Sequence, residues 1–298
     1  MARAKKKSPA KEQTPKTKAP KEKISLVGQR KMGRVLITGA SAGIGAELAR
    51  EFARHAHDLV LVARSKDKLD ALAGELRAAH DTDAIVITAD LSASDELIGL
   101  VEQLQDKDID IDILVNNAGI IDVGPFADAP PDKLQRLIAL NIAATTALTS
   151  LLLPAMIERK FGRILNVASL AGFQAVPSMG VYAASKAYVL SLTEALAEEL
   201  RGTGVKVTAL CPGMTDTDMV TTIKAQSQTA QWTPSFLISN PKVVAKQAYA
   251  ALMAGQTILV PGLPNQMAAA WSQVAPRWLT RTFTGLAVRQ ADWMKRKA

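Results

Sequence analysis

The stretch "VYAASKA" (181–187) sets a lysine four residues after a tyrosine. On a helix, Tyr182 and Lys186 would share one face, a single turn apart. A free phenol holds its proton until about pH 10. An ammonium group beside it favours the phenolate and brings the phenol toward the range in which it can trade a proton with another oxygen. Ser169, 13 residues before Tyr182, adds a hydroxyl, and Asn141 is a polar residue in a long apolar stretch. Taken singly, each has an ordinary reading: a turn cap for Ser169, a half-buried aromatic for Tyr182, a solvated side chain for Lys186, an internal hydrogen bond for Asn141. The chemical reading requires a fold that brings all four to one crevice.

The hydrophobic pattern supplies such a fold. Short apolar runs at 34–38, 58–63, 84–89, 112–117, 163–168, 205–210 and 257–260 alternate with helical stretches at 43–56, 66–79, 94–106, 132–158, 181–201 and 241–254. The runs are apolar throughout, as expected of strands covered on both faces. This alternation, without a tandem repeat, predicts an α/β fold: a doubly wound, parallel, seven-stranded sheet with helices on both faces. Such sheets bind ligands at the carboxyl ends of their strands, where Ser169 and the Tyr182–Lys186 helix would lie.

The first strand leads into "TGASAGIG" (38–45). Gly39 permits a tight turn, Gly43 lets backbone approach a phosphate, and Gly45 allows close helix–strand packing; Ser41 and Ile44 complete the loop. The following helix N-terminus offers unpaired N–H groups and a positive dipole end to a pyrophosphate. The second strand ends "LVARSK". Where NAD-binding domains commonly carry an acid for the ribose 2′-OH, this chain has Ala63 followed by Arg64. A guanidinium suits a 2′-phosphate, and the Ser41 hydroxyl could add a donor, so the expected cofactor is NADP(H). In "TADLS", after the third strand, Asp90 either accepts from an adenine amino group with Leu91 packing on the ring, or caps the next helix.

Taken together, "TGASAGIG" (38–45), "NNAG" (116–119), Asn141, Ser169, "YAASK" (182–186) and "PGMTDT" (212–217) resemble the classical short-chain dehydrogenases/reductases, in that family's order and over roughly 34–262. The resemblance implies a Rossmann fold, a nicotinamide cofactor, a Ser-Tyr-Lys site supported by an asparagine, and assembly into homodimers or homotetramers. It also implies that Asn141 holds a water linking Lys186 to solvent. Asn117, Ala118 and Gly119 would line the cofactor, and Pro212, Gly213 and Thr215 would meet its nicotinamide end, with Thr217 nearby.

In ketone reduction, negative charge grows on oxygen as hydride reaches carbon. Tyr182 would deliver the proton, and its phenolate would be the base in reverse. Lys186 would lower the tyrosine pKa and donate to the ribose hydroxyls, while Ser169 would hydrogen-bond the substrate oxygen. Leu170, Ala171, Gly172, Phe173, Val176 and Met179 surround this chemistry in sequence and suggest an apolar substrate: a 3-oxoacyl chain, a steroid-like ketone, or an aliphatic or aryl carbonyl. The polar loop from Met214 to Ser239, with Trp232, Pro234 and Phe236, is expected to close over it. Two other functions fit parts of the pattern: a non-catalytic NADP-binding regulatory module, and a surface-tethered protein that uses its basic ends.

Those ends hold the chain's positive charge. Of a net +8, residues 1–31 carry +9, residues 271–298 carry +5, and the body between carries −6. The expected organisation is a disordered basic tail (1–31), a dinucleotide-binding catalytic domain (32–262) and a basic, tryptophan-bearing extension (263–298). The tail lacks the apolar run of a secretory signal and could attract nucleic acid or anionic surfaces, so a cytoplasmic location is expected, peripheral to a membrane if either end binds one. In the extension, Met267, Trp271, Val274 and Trp278 follow helical spacing among Arg277, Arg281 and Arg289, interrupted by Pro276. Such a segment could lie on a membrane surface, cover the domain, or form a subunit interface. The uncharged run Leu137–Ile157 is long enough to span a membrane but carries Asn141, several hydroxyls and Pro154; it reads as a helix buried between protein layers. The lone Cys211 excludes an internal disulfide and reads as a buried structural thiol. His55, His57 and His80 fall on or after outer helices without metal-ligand spacing.

Overall fold

Successive residues along each strand serve two different cores. In the computed structural model, which describes residues 32–226, 238–282 and 284–286, the strands are β1 (Met32–Thr38), β2 (His57–Ala63), β3 (Ala84–Thr88), β4 (Ile113–Asn116), β5 (Gly162–Val167), β6 (Val205–Leu210) and β7 (Ile258–Leu259). All pair in parallel, in the order β3-β2-β1-β4-β5-β6-β7. The helices are α1 (Gly43–Arg54), α2 (Lys66–Ala79), α3 (Ser94–Asp106), α4 (Pro131–Ile138), α5 (Thr145–Glu158), α6 (Gly180–Glu199), α7 (Asp218–Gln226), α8 (Pro241–Ala254) and α9 (Leu263–Val274). Val35, Ile37, Leu59 and Leu61 pack against Phe52 of α1, Leu72 of α2 and Leu252 of α8. Leu36, Val60, Val62 and Leu114 face the other way, onto Leu100 of α3 and Leu148 of α5. The protein is thus the expected doubly wound Rossmann sheet. The order reverses beside β1, where β4 takes the edge opposite β2, and the crevice at that switch point is the ligand position of such folds.

Three local features depart from the sequence reading. The polar loop after β6 contains a helix, α7. The long apolar helix is continuous from Pro131 to Glu158, but Ala139–Ala144 is wound as a π-helix, a rare form that recurs at functional sites. That helix is not buried between layers: only 33% of its most apolar stretch is buried, and Leu151 and Ile157 are exposed. One side packs on the sheet, and α6 and α3 pack beside it. His57 is also placed differently. It opens β2, buried at the end of the sheet away from the crevice, with Nδ1 2.8 Å from the Gly33 carbonyl and Nε2 3.3 Å from the Tyr249 hydroxyl.

Candidate active site

The carboxyl ends of β1 and β4 are stitched together by hydrogen bonds. The Thr38 hydroxyl donates to the Val115 carbonyl (3.1 Å) and accepts from the backbone N–H groups of Asn117 (2.9 Å) and Ala118 (3.0 Å). Asn117 Nδ2 donates to the carbonyls of Thr38 (2.9 Å) and Gly39 (3.2 Å). This fixes the Gly-rich loop. Gly39 (φ +65°) and Gly43 (φ +57°) adopt the left-handed backbone that glycine tolerates. A Cβ on Gly45 would lie 2.3 Å from the Gly39 carbonyl oxygen, so Gly45 packs beneath the loop and not on the cleft wall.

At the end of β2, Arg64 Nη1 lies 3.9 Å from Asp90 Oδ2, and Arg136 of α4 hydrogen-bonds the same oxygen. Asp90 Oδ1 accepts from Ser92 N–H (3.0 Å) and Oγ–H (2.6 Å). Asp90 does not cap the next helix: α3 has Ala93 at its N-cap and no side-chain cap bond. The carboxylate closes a turn and joins two guanidinium groups.

At the other end, α6 begins beside the end of β5. Tyr182 and Lys186 are both buried in its first turns. Lys186 Nζ donates to the Val167 carbonyl (2.7 Å) and lies 5.8 Å from the centre of the Tyr182 ring. Ser169 caps a short 3-10 turn, Leu170–Phe173, accepting from Ala171 N–H (3.1 Å). Asn141, in the π segment, clamps the backbone of Ile120: Oδ1 accepts from its N–H (2.9 Å) and Nδ2 donates to its carbonyl (3.0 Å). The same Nδ2 reaches Ser185 Oγ (3.1 Å), which donates to the Tyr182 carbonyl (2.7 Å). Asn141 therefore joins the segment after β4 to the first turn of α6. Gly119 leaves room between them, since a Cβ there would sit 3.2 Å from Asn141 Oδ1 and 3.5 Å from Lys186 Nζ.

Both ends open onto one cleft of about 620 Å³. Its wall includes Gly39, Ser41, Gly43, Ile44, Arg64, Asp90, Leu91, Asn117, Ala118 and Gly119, then Ser169, Tyr182, Lys186, Pro212, Gly213 and Thr215. The glycine cradle, the N-terminus of α1 and the cationic Arg64 fit an extended, phosphate-bearing dinucleotide. Of the residues expected at the site, Gly45 and Asn141 stand behind this wall.

Residues 33–228 match the family model for short chain dehydrogenase. The chain belongs to that family. It is 36% identical over 267 residues to the ketoacyl reductase HetN of Nostoc sp., covering 89% of this chain and 92% of that protein. A short-chain dehydrogenase from Sphingobium yanoikuyae, solved with NADPH, superposes with a TM-score of 0.73 at 34% identity, covering 86% of this chain and 95% of that one. The bulky-bulky ketone specific alcohol dehydrogenase from Comamonas testosteroni gives 0.68 at 33% identity, covering 86% and 94%.

In this short-chain dehydrogenase, an oxidoreductase by family, burial governs the titrating groups. It pushes the Tyr182 phenol above its ordinary value, against an opposing hydrogen bond from Ser169. This reverses the expected direction. Lys186 is turned toward the Val167 carbonyl, and burial lowers its own pKa to about 8, so it remains mostly a cation at neutral pH. Burial likewise pushes the Cys211 thiol up to about 12. Partial burial pushes the Asp90 carboxyl up too, but hydrogen bonds from Ser92 and the charges of Arg136 and Arg64 outweigh it and hold the group below its ordinary value.

The apolar part of the wall mixes expected and unexpected residues. Leu170, Ala171, Val176 and Met179 line the cleft; Gly172 packs against the Lys186 backbone, and Phe173 against a separate core around Ala168, Val189 and Leu190. Ile120, Ile121 and Leu140 join the wall, as do Met219, Val220 and Ile223 of α7. Thr217 reaches the Gly-rich loop, its Cγ2 3.1 Å from where a Gly43 Cβ would be. Trp232, Pro234 and Phe236 lie outside the described residues. Among the described residues, no three of His, Cys, Asp and Glu gather to hold a metal.

Proposed function

We propose that this dehydrogenase interconverts a ketone and a secondary alcohol on an apolar small molecule, with NADP(H) as its cofactor. The observation that carries the reading is one cleft wall shared by Ser169, Tyr182 and Lys186 and by the Gly39–Ile44 loop with Arg64. When bound, the nicotinamide supplies or accepts the hydride. The preference for NADP(H) rests on Ala63 in place of an acid that would repel a 2′-phosphate and on Arg64 next to it, with Ser41 and Lys68 on the same wall. Leu91 and Asp90 would border the adenine, Asn117–Gly119 the middle of the cofactor, and Pro212, Gly213 and Thr215 its nicotinamide end.

Tyr182 is the proton donor. Burial keeps its phenol protonated, which is the form that reduction of a ketone consumes. Ser169 donates to the substrate oxygen as charge develops there. Once Tyr182 has given its proton, the phenolate is a buried anion, and a protonated Lys186 is the cation that stabilises it. With its pKa near 8, Lys186 can also pass a proton on. Asn141 holds Ile120 and the start of α6 in register. Its side-chain donors are spent there, which leaves an oxygen acceptor for a water linking Lys186 to solvent.

Ile121, Leu170, Val176, Met179, Met219 and Ile223 favour a 3-oxoacyl, steroid-like, aliphatic or aryl ketone. The names of the ketoacyl reductase and bulky-ketone dehydrogenase relatives agree with that range. We also propose a catalytic domain over 32–262 that works as a cytoplasmic homodimer or homotetramer. The exposed, uncharged face of α5, with Leu151 and Ile157, suits contact with a second copy.

The test is a panel of apolar ketones with NADPH and with NADH, followed by nicotinamide absorbance. Turnover is expected with NADPH, about tenfold or more faster than with NADH at low nucleotide. Absence of turnover with every ketone and corresponding alcohol would overturn the assignment.

A further inference from the structure

One face of α9 presents an apolar stripe that none of the described residues covers. Leu263, Met267, Trp271 and Val274 are 73%, 74%, 56% and 81% exposed. At about 100° per residue, they fall within about 80° of arc. The helix is nonetheless seated. Ala269 is buried, and Asn265 packs under Gly213 and donates to the Pro261 carbonyl (2.7 Å). The apolar stripe therefore does not cover the domain. Pro276 ends α9, with Ala275 extended before it; beyond the break Trp278 is 62% exposed, between exposed Arg277 and Arg281. Residues 263–286 contain no Asp or Glu.

We propose that this face seats on an anionic bilayer surface, with Met267, Trp271 and Val274 in the headgroup–acyl boundary and Arg277 and Arg281 on lipid phosphates. An exposed apolar stripe beside arginines, with tryptophan at the boundary, is the composition of a helix lying in a membrane interface. Charge favours this occupant: residues 263–286 carry Arg277 and Arg281 and no carboxylate, which suits an anionic surface. The position has a consequence: α9 packs on the Leu170–Phe173 turn, and Leu170 and Ala171 line the cleft, so a lipid-dissolved ketone would meet the protein beside the site. That consequence rests on the proposed reaction; the docking does not.

The experiment is co-sedimentation of the full chain with vesicles of phosphatidylcholine alone and of phosphatidylcholine with phosphatidylglycerol. Binding is expected to the anionic vesicles. Met267→Gln with Trp271→Ser should weaken it about tenfold or more, with NADPH binding unchanged as the check on folding. Arg277→Gln with Arg281→Gln should remove the preference for the anionic lipid. If the Met267/Trp271 variant does not fold, Trp271 is read directly: in a Trp232→Phe, Trp278→Phe, Trp293→Phe variant its fluorescence should be quenched by lipids brominated along the acyl chains. Three results would overturn the proposal: full binding by the Met267/Trp271 variant, which would leave the basic tail as the attachment; no quenching of Trp271; or no vesicle binding with a change in oligomeric mass. Vesicle binding without NADPH binding would sink the assigned reaction and leave the docking standing.

Discussion

The two ends of the cleft solve opposite electrostatic problems. At the phosphate end the charges are on display: the side chains of Arg64 and Arg136 are 60% and 46% exposed, with Asp90 between them. At the carbonyl end the polar groups are hidden, with Tyr182, Lys186 and Asn141 at 7%, 5% and 1%. Water and salt screen the first set, so each charge there contributes modestly and its neighbours can partly stand in for it. Burial amplifies the second set, so a single proton or hydroxyl changes the energy of the whole site. In the proposed reaction, one end would recruit a polyanion from solution and the other would control where a proton resides.

The largest effect should follow from removing one atom at the hidden end. Tyr182→Phe keeps the ring and its packing but deletes the proposed proton donor. Steady-state kcat should fall about 10²–10⁴-fold, while nucleotide affinity, read by fluorescence titration, stays within about threefold. Activity near that of the parent would mean that the buried phenol is structural and that the difference between the two ends has no chemical meaning.

Lys186 sharpens the comparison through stability. Burial lowers it to about 8 from an ordinary 10.5. Between those values the unfolded chain binds a proton that the folded chain has released. Unfolding free energy therefore rises with pH across that window. Lys186→Met cannot make this gain. Relative to the variant, the wild type should gain on the order of 1–3 kcal/mol from pH 8 to 10.5, measured by urea unfolding without nucleotide. A flat difference would place the ammonium group in contact with water or a hidden counter-charge, and the carbonyl end would then be no more buried than the phosphate end.

How much of this was legible in the sequence follows from how local each signal is. Helices α2, α3 and α8 begin and end where their patterns say. Asn240 and Pro241 mark the start of α8, and Gly255, at φ +70°, marks its end. That Ser169, Tyr182 and Lys186 would share one cleft was legible because residue type and spacing suffice once strand order is known. Helix α7 was not: "DMVTTIKAQ" carries two adjacent β-branched threonines and sits in a polar stretch, so neither propensity nor pattern announces it. Arg136 was invisible because its partner Asp90 lies 46 residues away, across a crevice that only the fold creates. The clamp of Asn141 on Ile120 depends on a π turn that no residue pattern marks. The direction of the Tyr182 shift was missed because a sequence names the neighbouring cation and says nothing of how much water is excluded around both groups.

The smallest effects belong to the exposed end, and they are selective rather than severe. Arg64→Ala should raise KM for NADPH about tenfold while leaving KM for NADH within about twofold, because only the 2′-phosphate loses a partner. Asp90→Asn should act the other way. It removes the anion that Arg64 and Arg136 now share, so KM for NADPH should fall about twofold to threefold at low salt. Both differences should shrink as salt rises, since the groups are exposed and screening reaches them. If Arg64→Ala instead impaired both nucleotides equally, the arginine would be holding the cleft together and not reading a phosphate. The phosphate end would then be as structural as the carbonyl end, and the choice of cofactor would have to be sought at Ser41 and Lys68.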